Sequence, residues 1–217
     1  MKRFCSVAVI LVLATLAYAA PRVEKVGPFS GETTEKLKAA LAKEGYRIYL
    51  PNTLVGCEIW LAASLHSGEK GRTSKETGNI YPDLGESQFL GVITFPKGGG
   101  TDFRGQAIRP GAYTMRYAQL PNDGNHLGVA PNPDMVLLVP IADDPDPSVN
   151  FDLAKLVELS AKASRTAHPA VFEMMPPVAG EPSVTQTDEG WIVFHSGINK
   201  DGKPFPIAVV VKGSAVQ

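Results

Sequence analysis

Short segments in which apolar and polar residues alternate follow one another closely along this chain, and they constrain its fold more than any other feature. Val55, Cys57 and Ile59, for example, alternate with more polar neighbours, and a period of two is the pattern of a β-strand. Turn-forming proline, glycine and asparagine residues separate these segments. The pattern predicts strands at residues 46–50, 55–65, 88–95, 112–118, 135–141, 170–174, 183–187, 191–198 and 206–212.

Two segments have helical periodicity instead. The first is TEKLKAALAKEG, residues 34–45, which places Leu37 and Leu41 on one side and ends at Gly45. The second covers residues 151–164 and has Asn150 as its expected N-cap. Many short strands with only two helices predict a mainly β fold, namely an antiparallel β-sandwich or jelly-roll-like body with two peripheral helices.

Residues 1–19 have the features of a cleaved secretory signal peptide. Lys2 and Arg3 precede an uncharged apolar run, and Ala17-Tyr18-Ala19 has the small-x-small pattern of a cleavage site. The run is shorter than the roughly 20 apolar residues of a spanning helix, which argues against an uncleaved anchor. We therefore predict a secreted or periplasmic protein in which residues 20–217 form a single β-sandwich domain with no membrane span.

Charge and cysteine content narrow the function classes. The chain has a formal net charge of −1 and no basic stripe that would neutralise nucleic-acid phosphates, so we expect no nucleic-acid partner. Loss of the leader removes Cys5 and leaves Cys57 without a partner for an internal disulfide. Because Cys57 lies on the apolar face of its predicted strand, we expect it to pack in the core rather than to act as a nucleophile.

A short motif carries a family resemblance. Residues 103–113, FRGQAIRPGAY, contain an apolar-x-Pro-Gly-x-Tyr pattern, and GNHLG and HPAV follow at residues 124–128 and 168–171. Together they resemble a group of exported bacterial β-sandwich proteins whose function is not established, so the resemblance implies fold and compartment only. Because proline presets φ and glycine accepts a positive φ, the motif predicts a hairpin with a type II turn at Pro110-Gly111.

Three histidines are candidates for a shared site. His126 follows Asp123 and Asn125 in a glycine-containing turn, and a sandwich can bring His168 and His195 to it from distant segments. Convergence of these side chains would create a metal or catalytic site. The alternative is that the turn side chains satisfy local backbone groups and that His168 lies at a helix C-terminus.

A second candidate is an aspartate-rich loop before the second helix. Its oxygen-bearing side chains recur at alternate positions, as in a calcium loop, but Val149 and Lys155 stand where an EF-hand has glycine and glutamate. An irregular calcium site remains open. The alternative is that Asp144 and Asp146 are solvated while Asn150 and Asp152 cap the helix. The weak metal candidates are Asp144, Asp146, Asn150 and Asp152.

The function that these features favour is binding. Strand tryptophans and tyrosines, Trp60 and Trp191 among them, either fill the core or stack on a ligand, and Trp60 points away from the Cys57 face. We expect a carbohydrate, a peptide or an envelope protein to bind through residues 66–86 and 122–133. The alternative is a metal-assisted enzyme that uses His126 with His168 or His195. The sequence contains no familiar catalytic motif and requires no cofactor. The candidate ligand-binding residues are Asp123, Asn125, His126, His168, His195 and Trp60.

Overall fold

The computed structural model describes residues 20–51, 55–65, 78–121 and 130–214, so the predicted leader lies outside the described residues. Antiparallel strands dominate and two helices accompany them, which confirms the mainly β prediction. The elements are β1 (Arg22–Val26), α1 (Glu35–Ala39), β2 (Gly45–Tyr49), β3 (Cys57–Leu61), β4 (Phe89–Phe95), β5 (Gly100–Thr101), β6 (Ala107–Ile108), β7 (Gly111–Gln119), β8 (Asp134–Pro140), α2 (Leu153–Ser164), β9 (Val171–Glu173), β10 (Ser183–Gln186), β11 (Ile192–Lys200) and β12 (Lys203–Lys212).

The strands form two facing sheets and a small hairpin. The larger sheet has the order β1-β2-β3-β4-β7-β8-β9, the smaller sheet has the order β10-β11-β12, and β5 pairs with β6. Ile59 and Met115 of the larger sheet share one hydrophobic cluster with Phe194 and Val209 of the smaller sheet. A bridge between Met174 and Val209 also joins the two sheets at one border. This arrangement is a β-sandwich with its main core between the sheets.

Helix α2 covers the outer face of the larger sheet. Its Leu156 and Leu159 pack against Leu137 and Val139 of β8, which buries the apolar side of the helix. Asp152 is the N-cap, since its carboxylate accepts a hydrogen bond from the Lys155 backbone N–H at 2.8 Å. The prediction of Asn150 as the N-cap is therefore wrong by two residues.

Helix α1 is shorter than predicted because the chain leaves it to extend the sheet. Thr34 caps the helix, and the last helical residue is Ala39. Soon afterwards, the Ala42 N–H donates to the Leu61 carbonyl at 2.9 Å. Gly45 is not the stop residue of a helix but the first residue of β2.

Strands β11 and β12 are joined by a tight hairpin turn, whereas the predicted turn at Pro110-Gly111 is wrong. Between β11 and β12, Asp201 and Gly202 both have positive φ, at 51° and 79°, as in the type I′ turn of a two-residue hairpin. Gly111, by contrast, opens β7 opposite Phe95 with a φ of 146°, and Ile108 pairs with Gly100. The predicted type II hairpin at Pro110-Gly111 is therefore a passage from one sheet to another.

The predicted surface loop of residues 66–86 enters the core at its later end. Residues 66–77 lie outside the described residues, but Tyr81 and Leu84 are buried. The Tyr81 hydroxyl donates to the Met175 carbonyl at 2.7 Å and accepts from the Ala208 N–H at 2.8 Å. This segment therefore ties the loop to the smaller sheet. In the part of the chain that the structure describes, no helix is long and apolar enough to cross a bilayer.

Candidate functional site

The predicted turn with Asp123, Asn125 and His126 falls in residues 122–129, outside the described residues. On either side of this segment, Gln119 at the end of β7 pairs with Asp134 at the start of β8. Convergence of His126 with the other histidines stays a prediction.

His168 and His195 occupy different environments. His168 is exposed beyond α2, and its carbonyl accepts a hydrogen bond from the Ser164 hydroxyl. His195 is buried on β11, where its Nε2 lies 2.9 Å from the Thr185 hydroxyl and burial lowers the pKa of the imidazole. Among the described residues, no three His, Cys, Asp or Glu side chains are placed to hold a metal ion.

The aspartate-rich loop is organised around an arginine from β7. Arg116 is completely buried, and its Nε and Nη2 donate to the two carboxylate oxygens of Asp144 at 2.8 and 2.7 Å. The same guanidinium also donates to four backbone carbonyls, which belong to Ser87, Asp146, Pro147 and Val149. Of the side-chain oxygens proposed for calcium, those of Asp144 therefore bind an arginine instead, and the expectation that Asp144 is solvated is wrong. We call this arrangement the Arg116 hub.

The remaining candidates of this loop have other roles. Asp146 is exposed and pairs with Lys36 of α1 at 2.7 Å, and hydrogen bonding from Lys36 lowers the pKa of the Asp146 carboxyl to about 2. Asp152 caps α2. Asn150 is exposed and precedes the N-cap by two residues. The loop oxygens are therefore used to fix the loop against the sheet and α1.

Three carboxyl groups lie near the start of β8, of which Asp134 and Glu173 are buried and Glu86 is partly buried. We call these three residues the acidic edge. Asp134 is fully buried and accepts from the Tyr117 hydroxyl at 2.6 Å and from the backbone N–H of Ile80 at 2.8 Å. These bonds hold the chain before β4 in place.

The other two carboxyl groups of the acidic edge have raised pKa values. Burial raises the pKa of Glu173 to about 8, and a hydrogen bond from the Asn132 N–H opposes this only in part. Burial also raises the pKa of Glu86 to about 7, and its Oε1 has no hydrogen-bond partner in the described ranges. Perturbed carboxyl groups are enriched at functional sites but also occur in purely structural networks.

Trp60 does not offer an exposed ring. Its side chain packs edge-on against Phe29 with the ring centroids 5.1 Å apart, and its Nε1 donates to the Gly27 carbonyl at 2.8 Å. Trp60 thus lies under the segment between β1 and α1 and is not on an open surface.

A pocket of about 440 Å³ lies at one end of the smaller sheet, and its size is typical of small-molecule sites. The β10–β11 turn, the end of β12 and the β5–β6 hairpin contribute to it. We call it the Trp191 pocket. Its lining residues are Thr101, Gly105, Glu189, Gly190, Trp191, Lys212, Gly213 and Ser214.

The Trp191 ring is held firmly in this pocket. Phe103 packs edge-on against it with the centroids 5.0 Å apart, and the indole Nε1 donates to the Ser214 carbonyl at 3.1 Å. Gly213 lies so close that a Cβ there would be 2.7 Å from the Trp191 Cδ1. The ring is therefore preorganised while its residue remains partly exposed.

The sequence indicates Trp191 only as one of several aromatic residues in predicted strands. The pocket needs side chains from three segments that are distant in sequence, and no local motif indicates such a combination.

Comparison with known proteins finds no relative of this chain: no family model, no curated protein and no solved structure matches it.

Proposed function

We propose that this protein is an exported β-sandwich that binds a carbohydrate, a peptide or an envelope partner in the Trp191 pocket. The observation that carries the proposal is a partly exposed indole, fixed by Phe103 and Ser214, inside a pocket of about 440 Å³ with polar groups around it. A rigid aromatic ring with hydrogen-bonding neighbours is a common arrangement for ligand recognition, because the ring loses little entropy on binding.

The two tryptophans of the chain provide an internal test of this site. Trp60 is buried beneath Phe29, whereas Trp191 lines the pocket. We expect at least one probe from a panel of disaccharides, tripeptides and phosphocholine to shift the indole N–H resonance of Trp191 and not that of Trp60. Trp191→Phe identifies the resonance and should weaken binding. A panel in which no probe shifts the Trp191 resonance would overturn the proposal.

Gly213 and Gly197 give a matched pair of variants. A Cβ at Gly213 collides with the indole, whereas a Cβ at Gly197 makes its nearest contact at an ordinary 3.5 Å from Pro204. We expect Gly213→Ala to displace the ring and weaken binding of the active probe, and Gly197→Ala to bind it normally. Equal affinities of the two variants would contradict the role of the fixed ring.

Export has its own test. The basic start, the apolar run and Ala17-Tyr18-Ala19 support cleavage after Ala19. Full-length protein expressed in a bacterium should appear outside the cytoplasm with Ala20 as its first residue, as read by N-terminal sequencing. Cytoplasmic protein that retains Met1 would overturn this part of the proposal. The metal-assisted enzyme stays a prediction, since it depends on His126.

A further inference from the structure

Among the described residues, the lining of the Trp191 pocket contains one aromatic residue with polar groups and glycines around it. No other large apolar side chain of residues 20–51, 55–65, 78–121 and 130–214 belongs to this lining, whereas pockets for apolar small molecules are lined mainly by hydrophobic residues. The lining therefore fits a ligand that has one apolar face and hydrogen-bonding groups around its edge. A sugar ring has this form, with C–H groups on its face and hydroxyl groups around its rim.

The indole supplies the surface for such an apolar face. An aromatic face carries negative charge in its quadrupole and attracts positively polarised hydrogens. Phe103, in a T-shaped contact, and the Ser214 carbonyl, at the indole Nε1, fix the ring. Binding therefore requires no rearrangement of the ring and no loss of its rotamer freedom.

The charges of the lining are balanced. Glu189 supplies one carboxylate and Lys212 one ammonium group, and Thr101 adds a hydroxyl. A carboxylate accepts hydrogen bonds and an ammonium group donates them, whereas each hydroxyl of a sugar does both. An anionic ligand is attracted by Lys212 but repelled by Glu189, and a cationic ligand the reverse, so the lining favours neither sign of net charge.

From the single indole and the balanced polar lining we infer that the ligand of the Trp191 pocket is a neutral sugar residue. This inference rests on the proposed function and adds the ligand class to it. Peptides and charged sugars are the alternatives that the test must separate from it.

The test uses purified full-length or processed protein and the two indole N–H resonances. We expect neutral disaccharides, with maltose, cellobiose and N,N′-diacetylchitobiose as probes, to shift the Trp191 resonance at lower concentration than glucuronic acid, glucosamine or triglycine. Tighter binding of any of these last three would overturn the inference and leave the proposed pocket intact. A panel that shifts nothing would overturn both.

Two charge variants sharpen this result. Glu189→Gln leaves Lys212 unbalanced, so glucuronic acid should bind about twofold to fivefold more tightly than to the unmodified protein. Lys212→Gln leaves Glu189 unbalanced, so glucosamine should gain by the same factor. The neutral disaccharides should respond alike to both variants. Charge variants that leave the affinities of glucuronic acid and glucosamine unchanged would overturn the charge-balance argument.

Discussion

The Arg116 hub and the acidic edge are two polar clusters that contact neighbouring residues of β7, and they differ in charge balance. Arg116 and Tyr117 are consecutive in β7, so their side chains point to opposite faces of the sheet. Arg116 meets Asp144 in a buried ion pair. Tyr117 meets Asp134, whose described hydrogen-bond donors are all neutral groups.

This difference determines how each cluster responds to mutation and to pH. In a buried ion pair, removal of either partner leaves the other as a desolvated charge. A buried carboxyl group without a cation favours its protonated form, because burial penalises the charge. Glu173 and Glu86 show the second behaviour through their raised pKa values. The hub is therefore sensitive to truncation, and the acidic edge is sensitive to pH.

The largest effect should follow loss of the buried cation. Arg116→Met leaves the Asp144 carboxylate and four backbone carbonyls without their donor, and we expect a loss of about 3–5 kcal/mol in the free energy of unfolding. Urea denaturation at pH 7 measures it. Arg104→Met, at an exposed arginine, is the control and should change stability by less than about 0.5 kcal/mol.

If Arg116→Met does not fold, Asp144→Asn still tests the Arg116 hub. Asp144→Asn keeps the guanidinium and its four carbonyl acceptors, so its loss should be smaller than that of Arg116→Met. Equal stabilities of Arg116→Met and Arg104→Met would contradict the central role of the hub.

A smaller effect is expected at the acidic edge. Asp134→Asn retains the shape of the side chain but presents an N–H₂ group to one of the donors that Asp134 now satisfies. We expect a loss of about 1–3 kcal/mol, again by urea denaturation, with the exposed Asp188→Asn as control. A loss as large as that of Arg116→Met would remove the proposed distinction between the two clusters.

Much of the sandwich was predictable from alternation and turn chemistry. Strand β11 and the Asp201-Gly202 turn follow directly from local sequence, because only a few residue types tolerate two successive positive φ angles. Strand β1 was missed because RVEKV is an edge strand with no buried residue, so it lacks an alternating apolar face. The Pro110-Gly111 turn was wrong because this dipeptide also suits a passage between sheets.

The sites were less predictable than the fold. The strand sequence YTMRYAQ does not indicate the partner of Arg116, since Asp144 lies 28 residues later in the chain. The alternating loop oxygens do not share one cation, because Asp144 binds Arg116 of β7 whereas Asp146 pairs with Lys36 of α1. The Trp191 pocket likewise combines Thr101, Glu189 and Lys212, which only the tertiary fold brings together.

The raised pKa of Glu173 should make the stability of the protein depend on pH. The folded-state pKa of Glu173 is raised from 4.5 to about 8, so the folded protein binds this proton more tightly than the unfolded chain does. Stability should therefore fall as pH rises from about 4.5 to about 8, with a slope of up to about 1.4 kcal/mol per pH unit from this group. Chemical denaturation across this range measures the slope.

Two variants assign that slope to its residue. Glu173→Gln cannot lose a proton and should flatten the pH dependence, leaving the smaller contribution of Glu86. Glu181→Gln, at an exposed carboxyl group, should keep the slope of the unmodified protein. If the two variants have parallel pH profiles, Glu173 is not the group that titrates.

We expect the smallest change in the free energy of unfolding from loss of Lys36, the exposed cation that pairs with Asp146 beside the Arg116 hub. Lys36→Ala removes the Lys36–Asp146 pair, whose side chains are both solvent-exposed, so the change in unfolding free energy should be far below that of Arg116→Met. The pKa of Asp146, now lowered to about 2 mainly by the hydrogen bond from Lys36, should rise towards its ordinary value in a carbon-detected NMR titration. Lys38→Ala, which removes a neighbouring lysine that pairs with Glu35, should leave the pKa of Asp146 low. Solvent and salt screen the exposed Lys36–Asp146 pair but not the buried Arg116–Asp144 pair. A destabilisation by Lys36→Ala as large as that of Arg116→Met would therefore contradict the distinction between buried and exposed ion pairs in this loop.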